Sequence, residues 1–172
     1  MAGFEFSVET PGIDEKVVAG EDPDRMAVRL AGEKALAVGA DEGTVVLGAD
    51  TTVVLDGEIL GKPENEAAAA DMLLLIAGRT HLVITGWAIA LSGAIVEDGF
   101  DTALVSMHPV TRDEADKYAR SGEPLDKAGG YALQGEGARF VSGVAGSRSN
   151  VIGLPLRPIV AGLSRAGVDP TR

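Results

Sequence analysis

Residues 44 to 63 read Thr44-Val-Val-Leu-Gly-Ala-Asp50-Thr-Thr-Val-Val-Leu-Asp56-Gly-Glu-Ile-Leu-Gly-Lys62-Pro63. Asp56-Gly57 is the dipeptide of a two-residue hairpin turn, because both central residues of such a turn need a positive φ. It separates the β-rich run Thr52 to Leu55 from Glu58 to Leu60, so the stretch predicts a hairpin. Ahead of it the apolar run Val45 to Leu47 drives into the carboxylate Asp50, with the Thr51 hydroxyl beside it. Behind it Gly61-Lys62-Pro63 closes the second strand, and Pro63 pushes Lys62 toward extended backbone. This layout predicts an acid at a strand end and a cation one hairpin away. Open α/β sheets bind ligands beyond the carboxyl ends of their strands, so the pair could hold a metal-bound phosphate. The plainer alternative is a buried hairpin whose acid and lysine are solvated.

Working outward, Asp22-Pro23 reads as the N-cap and first residue of a helix. Met26, Leu30 and Val38, with Ala27, Ala31 and Ala35, form its apolar face, and Lys34 lies at the edge of that face. Asn65 to Ala77 predicts a second helix, stopped at Gly78. Val83 to Leu91 and Phe100 to Val105 read as antiparallel strands joined through Ser92-Gly93 and an acidic turn at Glu97-Asp98-Gly99. Thr111-Arg112-Asp113-Glu114 has the form of a capping box, opening a helix that ends near Ser121-Gly122. Glu123 to Gly137 is glycine-rich and aperiodic, a long segment of the kind that is usually functional or disordered, and Tyr131 and Leu133 argue for order. Ala138 to Val144 reads as the last strand, Gly146 to Asn150 as a polar loop, and Pro155 as the start of a helix carrying Leu156, Ile159, Val160 and Leu163. Near the N-terminus Phe4, Phe6 and Val8 alternate with Glu5, Ser7 and Glu9, the period of a half-buried strand. The pattern is that of one α/β domain over 1–172, a mixed twisted sheet flanked by helices.

The chain has 172 residues, enough for one domain with a real core, and its 45% hydrophobic content argues against disorder. A formal net charge of -11 argues against nucleic acid or an anionic membrane surface as partner. A small anion is still compatible, because Lys62, Lys127 and Arg148 could form a local positive pocket to which a divalent metal would add charge. With no cysteine there are no disulfides or thiolate metal sites, which fits a cytoplasmic protein. His81 and His108 offer no zinc-like spacing. The apolar run Leu82 to Leu91 is too short to span a bilayer, and Glu5 and Glu9 sit where a signal peptide would need basic and then apolar residues.

Several chemistries are set aside. Gly135-Glu136-Gly137 does not continue into a dinucleotide fingerprint, no P-loop occurs, and Ser106, His108 and Asp113 lack a nucleophile turn. What remains is a set of acids and amines placed in loops: Glu15, Lys34, Asp50, Lys62, Asp126 and Lys127. The motifs around them carry a resemblance. Gly48-Ala49-Asp50-Thr51, Gly61-Lys62-Pro63, Ala77-Gly78-Arg79-Thr80-His81, Asp126-Lys127-Ala128-Gly129-Gly130-Tyr131 with Gln134-Gly135, and Asn150-Val151-Ile152-Gly153-Leu154-Pro155 together resemble the Maf family of nucleoside triphosphate pyrophosphatases. The resemblance covers nearly the whole chain in order and spacing.

That resemblance implies a Maf and inosine triphosphate pyrophosphatase-like fold, and hydrolysis of a nucleoside triphosphate to its monophosphate and pyrophosphate with a divalent cation, Mg²⁺ or Mn²⁺. It implies Asp50 as general base, Glu15 with Asp50 as metal partners, and Lys34, Lys62 and Lys127 near the phosphates. Thr51 and Gln134 match positions linked to the choice of base. The Gly48 to Thr51 and Tyr131 to Gly135 motifs look like the branch acting on dTTP and UTP, with modified pyrimidine nucleotides as further candidates. A homodimer and a link to septum formation are further implications. Family members also carry a Ser-x-Ser-Pro-Arg-Arg loop ahead of the segment that Ala2-Gly3-Phe4-Glu5-Phe6 resembles. The expectation is therefore a shortened domain without that arginine clamp, either through a late start site or a truly short gene, with Arg148 as a substitute to test. An inactive nucleotide-binding or septum-regulating remnant is the alternative.

Overall fold

The computed structural model describes residues 3–16, 18–39 and 41–171. Its strands are β1 (Val45–Leu55), β2 (Glu58–Leu60), β3 (Thr80–Leu91), β4 (Ala94–Met107) and β5 (Val141–Gly146). They form one sheet in the order β2-β1-β3-β4-β5. The helices are α1 (Pro23–Ala37), α2 (Glu66–Ile76), α3 (Arg112–Ala119), α4 (Arg148–Ile152) and α5 (Leu156–Arg165). Every neighbouring pair is antiparallel, where the sequence pattern allows a mixed sheet. β1 meets β2 with Val53 opposite Leu60 and Leu55 opposite Glu58. β4 meets β5 with Val105 opposite Val144. The Thr44 carbonyl before β1 accepts from the Ser92 amide after β3 at 3.1 Å, and the Arg79 carbonyl before β3 accepts from the Met107 amide ending β4 at 2.9 Å. The Asp56-Gly57 hairpin is present, with φ of 51° and 89°.

The chain divides into two compact units. The first comprises Met1–Asp50, Thr85–Asp101 and Gly153–Arg172. Here α1 buries Met26, Ala27, Leu30, Ala31 and Ala35 of the face its periodicity predicts, while Val38 falls at the C-cap and is half-buried. Its approach to the strands is set by two glycines. A Cβ on Gly48 would lie 2.1 Å from the Ala31 carbonyl oxygen, and one on Gly86 would lie 2.2 Å from the Ala27 carbonyl carbon. A second core joins Trp87 and Ile89 of β3 to Ile159 and Leu163 of α5, with Phe4, Val45, Leu47, Ala166 and Val168 packed around it.

The second unit comprises Thr51–Ile84 and Thr102–Ile152. Its core includes Val53, Leu73, Ile76, Val83, Val105, Tyr118, Tyr131 and Phe140. The Asn65 side chain caps α2 by accepting from the Ala68 amide at 2.9 Å, and Thr111 with Glu114 forms the predicted capping box of α3. The glycine-rich segment is ordered as short 3-10 turns at Glu123–Asp126, Ala128–Gly130 and Glu136–Phe140, with Tyr131, Ala132 and Leu133 buried between them.

Five local expectations are corrected. Phe4 to Val8 forms no strand: Phe4 packs on the α5 core, while Phe6 and Val8 are each 81% exposed. Alternation marks which face a strand would bury, but a strand also needs a neighbour to pair with, and none pairs here among the described residues. Asp50 lies inside the continuous strand β1 and not at a strand end, because Gly48 is there to admit α1 and does not break the strand. Glu97-Asp98-Gly99 lies inside β4 and makes no turn. Gly99 sits under Trp87, where a Cβ would come within 3.0 Å of the ring. The last strand begins at Val141 because residues 136–140 coil first, and Gly146 to Asn150 leads into the short helix α4. No helix among the described residues is long and apolar enough to cross a membrane.

Because the atoms facing Gly86 are helix backbone, a methyl there has no flexible neighbour to displace. Gly86→Ala is expected to lower stability by about 3 kcal/mol in urea denaturation. A change within a few tenths of a kcal/mol would contradict the packing.

Candidate active site

Strand alternation sets the first cluster. Gly48 faces α1, so Asp50, two residues on, shares that face, and Lys34 follows Ala31 by one helical turn on the same side of α1. Lys34 Nζ meets Asp50 Oδ1 at 2.6 Å and Glu15 Oε1 at 2.7 Å. The Asp50 side chain is 11% exposed, Lys34 22% and Glu15 40%. Burial pulls the Lys34 pKa down, but hydrogen bonds and charge from Asp50 and Glu15 outweigh it and hold it above the usual lysine value. Lys34 is therefore an ammonium at neutral pH.

A brace that sequence reasoning missed lies on the same helix. The Arg29 guanidinium donates to both oxygens of Glu21 at 2.8 and 2.7 Å, to Glu33 at 3.0 Å and to the Lys16 carbonyl at 3.0 Å. It ties the residue following Glu15 to α1. The i,i+4 spacing of Arg29 and Glu33 is the part of this visible in the sequence.

Two carboxylates meeting on one cation is a donor set that suits a hard divalent ion. Mg²⁺ is usually held by one or two carboxylates and completes its shell with water and substrate phosphate. No group of three or more metal-ligating side chains converges among the described residues, so a closed protein cage is not built. Glu15 and Asp50 supply two carboxylate oxygens of the kind such an ion accepts.

The second unit carries Thr51, Lys62, Lys127 and Gln134. Thr51 shares a strand face with Val53, against which Gly129 packs at 3.0 Å from where its Cβ would be. The Gly129 amide donates to the Gly61 carbonyl at 3.1 Å, tying the residue before Lys62 to the Asp126 to Gly130 segment. Lys127 Nζ pairs with Asp126 Oδ1 at 2.6 Å. That hydrogen bond, helped by the charges of Lys127 and Lys62, outweighs the opposing effect of burial and holds the Asp126 carboxyl below its usual range. Gln134 is exposed, and Arg148 is exposed at the first position of α4. Ser106 Oγ lies 2.9 Å from Thr80 Oγ, so its hydroxyl is engaged outside any triad.

Beneath the Asp126 to Tyr131 motif, buried His81 places Nε2 2.8 Å from the Tyr131 hydroxyl, with the rings edge to face at 5.4 Å. Burial pushes the His81 pKa down to about 4 and the Tyr131 phenol up, so both are neutral at physiological pH. Below pH 6.5 the unfolded chain takes up a proton at His81 that the folded chain refuses until about pH 4. The stability contributed by neutral His81 is thus complete above pH 6.5 and is lost as pH falls toward 4. The wild type is expected to lose about 3 kcal/mol more than His81→Gln across that window in denaturant titrations. Parallel pH dependences of the two proteins would contradict it.

The family model of Maf-like proteins matches residues 1–166. A dTTP/UTP pyrophosphatase of Myxococcus xanthus (strain DK1622) is 48% identical over 164 residues, covering 95% of this chain and 83% of the relative. One from Symbiobacterium thermophilum is 41% identical over 168 residues, covering 97% and 86%. One from Bacillus cereus (strain AH820) is 40% identical over 172 residues, covering 99% and 90%.

Proposed function

The chain belongs to the Maf family, and from that membership we propose that it is a nucleoside triphosphate pyrophosphatase that hydrolyses dTTP and UTP to the monophosphate and pyrophosphate. The observation that carries the reading is the convergence of Glu15 and Asp50 on the Lys34 ammonium, in a chain whose relatives bear that activity in their names.

In this reading water attacks the α-phosphorus, the bond from that phosphorus to the bridging oxygen breaks, and pyrophosphate leaves with the electron pair. Asp50 accepts the proton of the attacking water, the role of a positioned general base. A divalent cation, Mg²⁺ or Mn²⁺, held by Glu15 and Asp50 together with substrate oxygens, would supply charge against the polyphosphate. Lys34, Lys62 and Lys127 are assigned to the phosphates as point charges. Thr51 and Gln134 are assigned to the base. A glutamine amide offers both a donor and an acceptor. Uracil and thymine present a carbonyl beside an N–H on their pairing edge, which that amide can match, whereas cytosine presents an amino group beside a bare ring nitrogen.

The test is pyrophosphate release from dTTP and UTP in the presence of Mg²⁺ or Mn²⁺. Asp50→Asn keeps an oxygen for Lys34 and removes the proton acceptor. It is expected to lower turnover by about 100-fold or more while nucleotide binding persists. Unchanged turnover would remove Asp50 from its role, and no release by the folded wild type would overturn the assignment.

A further inference from the structure

Gln134 stands exposed in a segment fastened on both sides. On one side the Ala132 amide donates to the Tyr118 hydroxyl at 3.1 Å, and that hydroxyl donates in turn to Glu123 Oε1 at 2.8 Å. On the other side the amides of Glu136 and Gly137 donate to the two Glu123 oxygens, each at 2.9 Å. One carboxylate thus gathers the backbone two residues before Gln134 and that two and three residues after it. Gly135 adopts φ 144°, and a Cβ there would lie 2.4 Å from Glu123 Oε2, so the carboxylate takes the space that a side chain would need. The Tyr118 ring is 1% exposed and meets Phe140 edge to face at 5.3 Å, which gives the strap a rigid footing on α3. Burial works against ionisation of Glu123, but the two amides, the Tyr118 hydroxyl and the Lys127 charge hold its carboxyl below the usual range. The acceptor is therefore a carboxylate at neutral pH, and hydrogen bonds to a charged acceptor are the stronger kind.

We propose that Glu123 and Tyr118 are positioning residues for base selection, holding residues 132–137 so that the Gln134 side chain is presented to the pyrimidine edge from one place on the backbone. The proposal rests on the reading of Gln134 as a base-contacting residue. A glutamine on a loose loop can approach a base from many positions and angles. A glutamine on a fixed backbone samples fewer of them, and a base that its amide cannot pair from there leaves polar groups unpaired. The strap's function is therefore discrimination, and not proton transfer.

The experiment compares steady-state kinetics on UTP and CTP for the wild type, Glu123→Gln, Tyr118→Phe and Gln134→Ala, with amide hydrogen exchange at Ala132, Glu136 and Gly137. Both strap variants keep the side chain's shape, so folding is preserved; a thermal melt verifies this. Glu123→Gln and Tyr118→Phe are expected to raise KM for UTP and lower the preference for UTP over CTP by about tenfold, the direction also taken by Gln134→Ala. Exchange at the amides released by each variant is expected to quicken. A purely structural role would instead lower kcat through the folded fraction and leave KM and preference intact. Loss of preference in Gln134→Ala but not in either strap variant overturns the proposal alone. Retained preference in Gln134→Ala overturns the reading of Gln134, and the proposal falls with it.

Discussion

The close seating of α1 on the strands is the constraint on which the acid and lysine cluster depends. Gly48 and Gly86 present no side chain to the helix, and the helix answers with alanines at 27, 31 and 35. Small residues on both surfaces let backbone approach backbone, and the approach converts strand and helix periodicity into chemistry. Asp50 lies two residues beyond Gly48 on the same strand face, and Lys34 one turn beyond Ala31 on the same helix face, so packing brings them within reach and the ion pair closes to 2.6 Å. A larger residue at position 48 would move the helix away and separate the pair. Arg29 then fastens the backbone beside Glu15 to that helix, completing a cluster of two carboxylates and one ammonium.

In the second unit buried and half-buried polar side chains join close-packed glycines as the organising groups. His81 holds Tyr131 from below, and Glu123 with Tyr118 gathers the backbone around Gln134. A glycine-rich segment with no regular secondary structure costs conformational entropy to order. Here that cost is offset by directed hydrogen bonds to buried or half-buried side chains and by Tyr131, Ala132 and Leu133 entering the core. The result is an exposed Gln134 on a backbone held from both sides.

Much of this was visible in the amino-acid pattern where local rules govern. The Asp56-Gly57 turn, the Thr111 to Glu114 capping box and the apolar stripe of α1 each follow from chemistry within a few residues. Structure departs from the local pattern where a residue's partner lies far away in the chain. Gly99 reads as a turn but serves Trp87, and Phe4 to Val8 reads as a strand but finds no partner. Lys34 at the edge of its stripe was a fair pointer to the acid cluster. The Glu123 strap had no local signature, since its partners at 118, 132, 136 and 137 meet only through the fold.

The direct measurement is hydrolysis of dTTP in water enriched in oxygen-18, followed by mass analysis of the products. Attack of water at the α-phosphorus puts one labelled oxygen in the monophosphate and none in the pyrophosphate. Label in the pyrophosphate, or release of labelled inorganic phosphate with a diphosphate product, would contradict it.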